Sequence, residues 1–171
     1  VSATSSRSTA LAVETQFAAR RPWVPGAVAL RRWARGAYAS AACASALRPT
    51  NPRICIRVVG SAESRRLNRS FRGKDAPTNV LSFPASTLER SSDGALGDLA
   101  ICAPVVAREA RAQDKPLAAH WAHMVVHGVL HLVGYDHQHD LEARRMERVE
   151  VEILRAFGYQ NPYLRVVTSR A

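Results

Sequence analysis

Cysteine is scarce in this chain: Cys43, Cys55 and Cys102 are its only three. An odd number, widely spaced in apolar settings, excludes a disulfide framework and fits a reduced, intracellular setting. No pair of them has ligand spacing, so thiolate metal binding is not expected. Aromatic residues make up only 6% of the 171 residues, while hydrophobic residues reach 47%. Alanine therefore does much of the core filling, and the length predicts one domain. Long apolar runs are also missing, and none approaches the roughly 20 residues of a membrane span. The first ten residues, rich in Ser, Thr and Ala, lack the apolar stretch of a secretory signal. Residues 1–10 read as a frayed tail, with an organelle-targeting role left open. Residues 11–165 read as a single domain with a cytoplasmic location. Acidic residues number only 14 against 24 basic ones, for a net charge of +10. All but two of the 24 basic residues are arginines. That favours an anionic partner such as nucleic acid, ribosome or acidic lipid, because the guanidinium fork binds two phosphate oxygens at once. Arginine and alanine bias also follows genomic base composition, so charge alone does not choose among these partners.

All six histidines fall between His120 and His139. His127 and His131 are four apart, which places their imidazoles side by side on one helical face. Gly134 offers a left-handed helix end, after which the chain turns back and His137 supplies a third nitrogen. Three nitrogens leave a fourth position open on a tetrahedral ion, the mark of a catalytic zinc site. The expectation is one zinc ion per chain, on His127, His131 and His137. The metalloprotease helix motif places a glutamate base after its first ligand. Gly128 stands there instead, which excludes that peptidase mechanism, although zinc alone still acidifies bound water. Glycine costs a helix about 1 kcal/mol relative to alanine, so something is expected to approach the backbone at Gly128. His120 and His123 lie on nearly the same face, with pocket, ligand-steadying and plain surface roles all open. Asp136 is either an orienting carboxylate or a turn cap, and His139 is expected to be exposed or structural.

Periodicity predicts strands at Leu11–Phe17, Arg53–Val59, Val80–Phe83 and Asp98–Cys102. Helices are predicted from Pro25 to about Leu47, from a Ser61 cap to about Ser70, over Ala103–Ala112, from about Pro116 to Val133, and from about Leu141 to Phe157. The stretch from Ala85 to Ala95 reads as a surface loop. Together these give an α+β fold, with one small mixed sheet of about four strands and about five helices. Arg31, Arg32 and Arg35 are expected on the wet side of the first helix, with Trp33 and Tyr38 partly buried. In the polar loop Arg72–Asn79, Arg72 and Lys74 suit a phosphate, while Asp75 and Asn79 fix the loop by local side-chain bonds. A plain solvated turn is the alternative. Phe71, Val80, Leu81 and Phe83 are expected in the core. Arg53, Arg57, Arg65, Arg66 and Arg69 are candidates to extend a basic track to the loop.

Three segments carry a family resemblance: the histidine segment from His127 to His137, the stretch Leu67–Pro84, and Gly97-Asp98-Leu99-Ala100-Ile101-Cys102. They resemble the YbeY family of bacterial endoribonucleases that mature ribosomal RNA, over about residues 10 to 160. Phe71, where tyrosine is common, is a mild departure. The resemblance implies a metzincin-like zinc hydrolase fold and the three histidine ligands above. It also implies a functionally required arginine, Arg72. The implied substrate is single-stranded RNA, and the implied partner is the ribosomal small subunit. The implied roles are maturation of the 3′ end of its RNA and ribosome quality control.

The expected reaction is metal-assisted phosphodiester cleavage, with Arg72 neutralising charge that grows in the transition state and His123 shuttling a proton. Water and the 2′-hydroxyl both remain open as the nucleophile. Two other readings stand beside this one. The first is a zinc-stabilised ribosome assembly factor without catalysis, in which His123 or His139 would be a fourth ligand. The second is a zinc hydrolase of a non-RNA substrate. Oligomeric state is not legible.

Overall fold

The computed structural model describes residues 10–42, 49–135 and 139–164. Its strands are β1 (Ala12–Phe17), β2 (Arg53–Val59), β3 (Val80–Pro84) and β4 (Ala95–Cys102). They form one mixed sheet in the order β1-β2-β4-β3. β1, β2 and β4 run parallel, and β3 closes one edge antiparallel to β4. The helices are α1 (Ala27–Ala42), α2 (Ser61–Arg72), α3 (Thr87–Asp93), α4 (Ala103–Ala112), α5 (Leu117–Leu132) and α6 (Asp140–Ala156). His137 and Asp136 lie outside the described residues, as does the expected continuation of α1 from residue 43 to Leu47.

Alternation along the strands separates two faces. Ile54, Ile56 and Val58 of β2 join Leu99 and Ile101 of β4 in the main core, with Trp33 of α1 and Trp121 of α5. The other face carries a smaller cluster of Val59, Leu81, Ala100 and Cys102, with Leu67 of α2 packed against it. An open groove of about 640 Å³ at the uncovered end of that face is lined by Glu14, Cys55 and Asp98 among others, and by no histidine among the described residues. α5 is the central helix, with ten of its residues buried.

Gly128 explains how α5 sits so close to the sheet. A Cβ there would fall 2.8 Å from a methyl group of Leu99. The group that approaches the Gly128 backbone is thus a core side chain of β4. Arg31 and Arg35 also differ from expectation, because they are not merely wet. Their Nε–H groups donate to the carbonyls of Val13 and Leu11, at 3.2 and 3.1 Å. They thereby tie α1 to the outermost strand.

Several expectations need correction. The stretch Ala85–Ala95 is not a loop throughout, since α3 occupies Thr87–Asp93 and brings the helices among the described residues to six. Its start carries a capping box, in which the Ser86 side chain accepts from the Glu89 N–H and the Glu89 carboxylate accepts from the Ser86 N–H. β4 begins at Ala95, three residues before Asp98. Ser61 is inside α2, whose N-cap is Gly60 without a side-chain bond. Phe71 is not core: it is 66% exposed, its ring resting edge-on against Phe83 with centroids 5.0 Å apart.

Gly97 is the tightest point of the sheet. Its φ is +133°, and a Cβ would lie 2.2 Å from the carbonyl oxygen of Phe83. Both the strained backbone and the clash penalise any side chain there. Gly97→Ala should lower unfolding free energy by about 2 kcal/mol or more. A denaturant titration checks this, and a parent-like midpoint would refute it.

Candidate metal centre

α5 positions four histidines in a row. Spacings of three and four residues bring His120, His123, His127 and His131 onto one stripe. Neighbouring rings meet edge to face, with centroids 6.2, 6.2 and 4.6 Å apart in that order. The closest pair is the one singled out by its spacing. Nε2 of His127 and Nε2 of His131 are 3.1 Å apart.

The other nitrogen of His127 is occupied. Its Nδ1 lies 2.7 Å from Oε1 of Glu150, a carboxylate with no solvent exposure. An ionised carboxylate only accepts, so the imidazole carries its proton on Nδ1 and leaves the Nε2 lone pair facing His131. Glu150 was missed in the sequence. Its signal is position: in α6 it falls within the apolar stripe of Met146, Val149, Ile153 and Leu154. An acid there must face the packed neighbour, which is α5. The second carboxylate oxygen accepts from the hydroxyl of Tyr163 and lies 3.7 Å from Nε2 of His123, beyond hydrogen-bond reach. Burial pushes the Glu150 carboxyl up, yet the imidazoles and the tyrosine hydroxyl outweigh it and hold the group at about 2. His123, Glu150 and His127 also bring one potential ligand atom each within 4.8 Å of one another, a group that could hold a metal ion.

His123 is nearly enclosed. Burial lowers its basicity despite the Glu150 carboxylate beside it. His120 is anchored differently, with Nε2 2.9 Å from Glu109 of α4. Glu109 in turn accepts from the Asn79 amide at 3.1 Å, so one network joins the start of β3 to α4 and α5. His120 and His123 both line a cavity of about 270 Å³ beneath the segment from Gly158 to Leu164. Plain surface roles for the two are thus excluded. His139 is exposed and caps α6 without a side-chain bond.

Arg72 is the last residue of α2, stopped by Gly73 at φ +68°. The loop beyond it is braced from α2. Asp75 does not fix the loop locally; it takes a two-pronged ion pair from Arg65, at 2.8 and 2.6 Å. Asn68 donates to the Ala76 carbonyl at 2.8 Å, and Ser64 bonds Thr78 twice. Asn79 does bond locally, accepting from the Val80 N–H at 2.7 Å. Arg53, Arg57 and Arg65 have acidic partners, whereas no ion pair to Arg72 or Lys74 occurs among the described residues.

No described bond joins Arg72 to the histidines, and the sheet edge explains why. Phe71 packs on Phe83, while the adjacent Ser82 points the other way, its hydroxyl 3.5 Å from the Gly128 carbonyl on α5. α2, which ends at Arg72, and α5, which carries the histidines, therefore pack on opposite faces of the sheet.

Comparison with known proteins identifies the family. The profile of the family described as "Endoribonuclease YbeY" matches residues 26–158. The chain is similar to Endoribonuclease YbeY of Methylococcus capsulatus, with 51% identity over 140 residues, covering 82% of this chain and 87% of the other. It also resembles the solution structure of TM1509 from Thermotoga maritima, at a TM-score of 0.55 and 21% identity. That match covers 90% of this chain and 99% of the other, and it concerns the fold.

The buried groups predict acid sensitivity. Both His123 and Glu150 bind protons less readily folded than unfolded. Their contributions are therefore present at neutral pH and lost as pH falls. The loss begins below about 6.5 for the histidine and continues from the ordinary carboxylate range toward about 2 for Glu150. Denaturant midpoints of metal-free protein should drop between pH 7 and pH 5. His123→Asn should flatten that limb, and a level parent profile would contradict the assignment.

Proposed function

The chain belongs to the endoribonuclease YbeY family, and we propose that it cuts single-stranded RNA by metal-assisted phosphodiester cleavage. The proposed setting is maturation of the 3′ end of small-subunit ribosomal RNA and ribosome quality control. The observation that carries the chemistry is the 3.1 Å approach of two imidazole Nε2 atoms, one of them oriented from behind by a buried carboxylate. Two imidazole nitrogens at that distance have a proton or a cation between them. A carboxylate behind a histidine is the usual support of a metal ligand.

In this reading His127, His131 and His137 hold one zinc ion per chain, within a domain spanning residues 11–165. Glu150 is then spent on the Nδ1 proton of His127 and stands behind the ligand. A zinc ion in this position supplies Lewis-acid polarisation of a phosphate oxygen or of water. Arg72, at the end of α2 before a braced loop and without an acidic partner among the described residues, neutralises charge developing on the phosphate. Its exposed place at the end of α2 leaves it open to a strand of RNA. Exposed Arg66, Arg69 and Lys74 continue the positive field along α2 and its loop. His123, kept neutral by burial, is in the form that takes up a proton.

The test is cleavage of a labelled single-stranded RNA by zinc-loaded protein, with product ends mapped by mass. Arg72→Ala should retain stoichiometric zinc and fold, yet cut roughly 100-fold more slowly. His127→Ala should lose both zinc and cutting. Cyclic phosphate ends would identify the 2′-hydroxyl as nucleophile. No cutting above the His127→Ala background would favour an assembly role without catalysis. RNA affinity should also fall steeply as salt rises, because phosphate contacts release counterions, and a flat titration would remove the basic surface from RNA binding.

A further inference from the structure

α6 ends at Ala156, and the chain then continues as an irregular segment with two turns to Leu164, beside His120 and His123. This segment lies past residue 158, where the family match ends. Three bonds fix its course. Lys115 donates to the Pro162 carbonyl. The Asn161 side chain accepts from the Tyr163 N–H at 2.9 Å. The Tyr163 hydroxyl donates to Oε2 of Glu150. The Tyr163 ring also meets the His123 ring edge-on, with centroids 5.5 Å apart.

The consequence follows from Glu150 having two oxygens and no solvent exposure. Oε1 is committed to Nδ1 of His127. A buried carboxylate with one unpaired oxygen carries a large desolvation cost and turns toward any better-solvated rotamer. The tyrosine hydroxyl removes that cost and pins the carboxylate plane. With the plane pinned, the His127 imidazole is held in one tautomer and one orientation, with Nε2 aimed at His131.

We propose that Tyr163 is a positioning residue of the metal centre, acting through Glu150 on His127, so that the segment after α6 completes the site. This rests on the zinc assignment above. It concerns how tightly and in which geometry the ion is held; the Tyr163 hydroxyl also lies 3.4 Å from Nε2 of His123, so zinc affinity and the His127 tautomer, rather than cutting rate, are the readouts that isolate this role.

The experiment measures zinc affinity by chelator competition in the parent, Tyr163→Phe, Glu150→Gln and the double variant. Phenylalanine keeps the ring against His123 and removes only the hydroxyl. Its affinity should fall about 10-fold, while the double variant should bind no more weakly than Glu150→Gln alone. Nitrogen NMR of the metal-free proteins gives a second readout. The His127 Nδ1–H signature should be sharp in the parent and redistributed between tautomers in Tyr163→Phe. Parent-like affinity and tautomer in Tyr163→Phe would overturn the proposal, as would additive losses in the double variant. Because Tyr163→Phe is mild and half-exposed, a folding failure of Glu150→Gln would leave the comparison with the parent decisive. A parent that binds no zinc would instead sink the metal assignment, and this inference with it.

Discussion

Glu150 is the constraint around which the site is built. A carboxylate with no solvent exposure is tolerated only when its oxygens are paired. Its partners come from α5 and from the segment after α6, namely His127 and Tyr163. Each of these elements must therefore keep its place for the others to remain satisfied. The same pairing turns the distal nitrogen of His127 toward His131. One buried charge thus couples helix packing to the geometry of the histidine pair.

α5 makes this possible because it is buried on nearly every other side. Gly128 lets it settle onto Leu99 of the sheet, and the Glu109–Asn79 network pins its first half. Only the histidine stripe is left for chemistry. α2 and the braced loop after Arg72 stand on the opposite face of the sheet from α5.

Much of the fold was legible before any coordinates. The strand at Arg53–Val59 and the helices at Ala103–Ala112 and around the histidines stand where periodicity places them, because core-facing alternation is written locally. α3 was missed although its Ser86–Glu89 capping box is visible in the sequence, since a seven-residue helix without a buried residue has no apolar stripe. Phe71 was misplaced because α2 ends just beyond it, so its ring lies over the sheet edge with one side in water.

The site divides along the same line. The His127–His131 pair was determined by the sequence alone, because a four-residue interval on a helix puts two rings together whatever surrounds it. The excess of arginine likewise set the sign of the surface field without reference to the fold. Tertiary structure decided the rest. The acid behind His127 is 23 residues away on another helix, and the tyrosine that holds that acid is 13 residues further on. The side of β3 on which Arg72 stands depends on how the sheet pairs and which helix covers each face. Such contacts join residues remote in the chain, so no local period encodes them, and only the packing of α5, α6 and the sheet edge selects them.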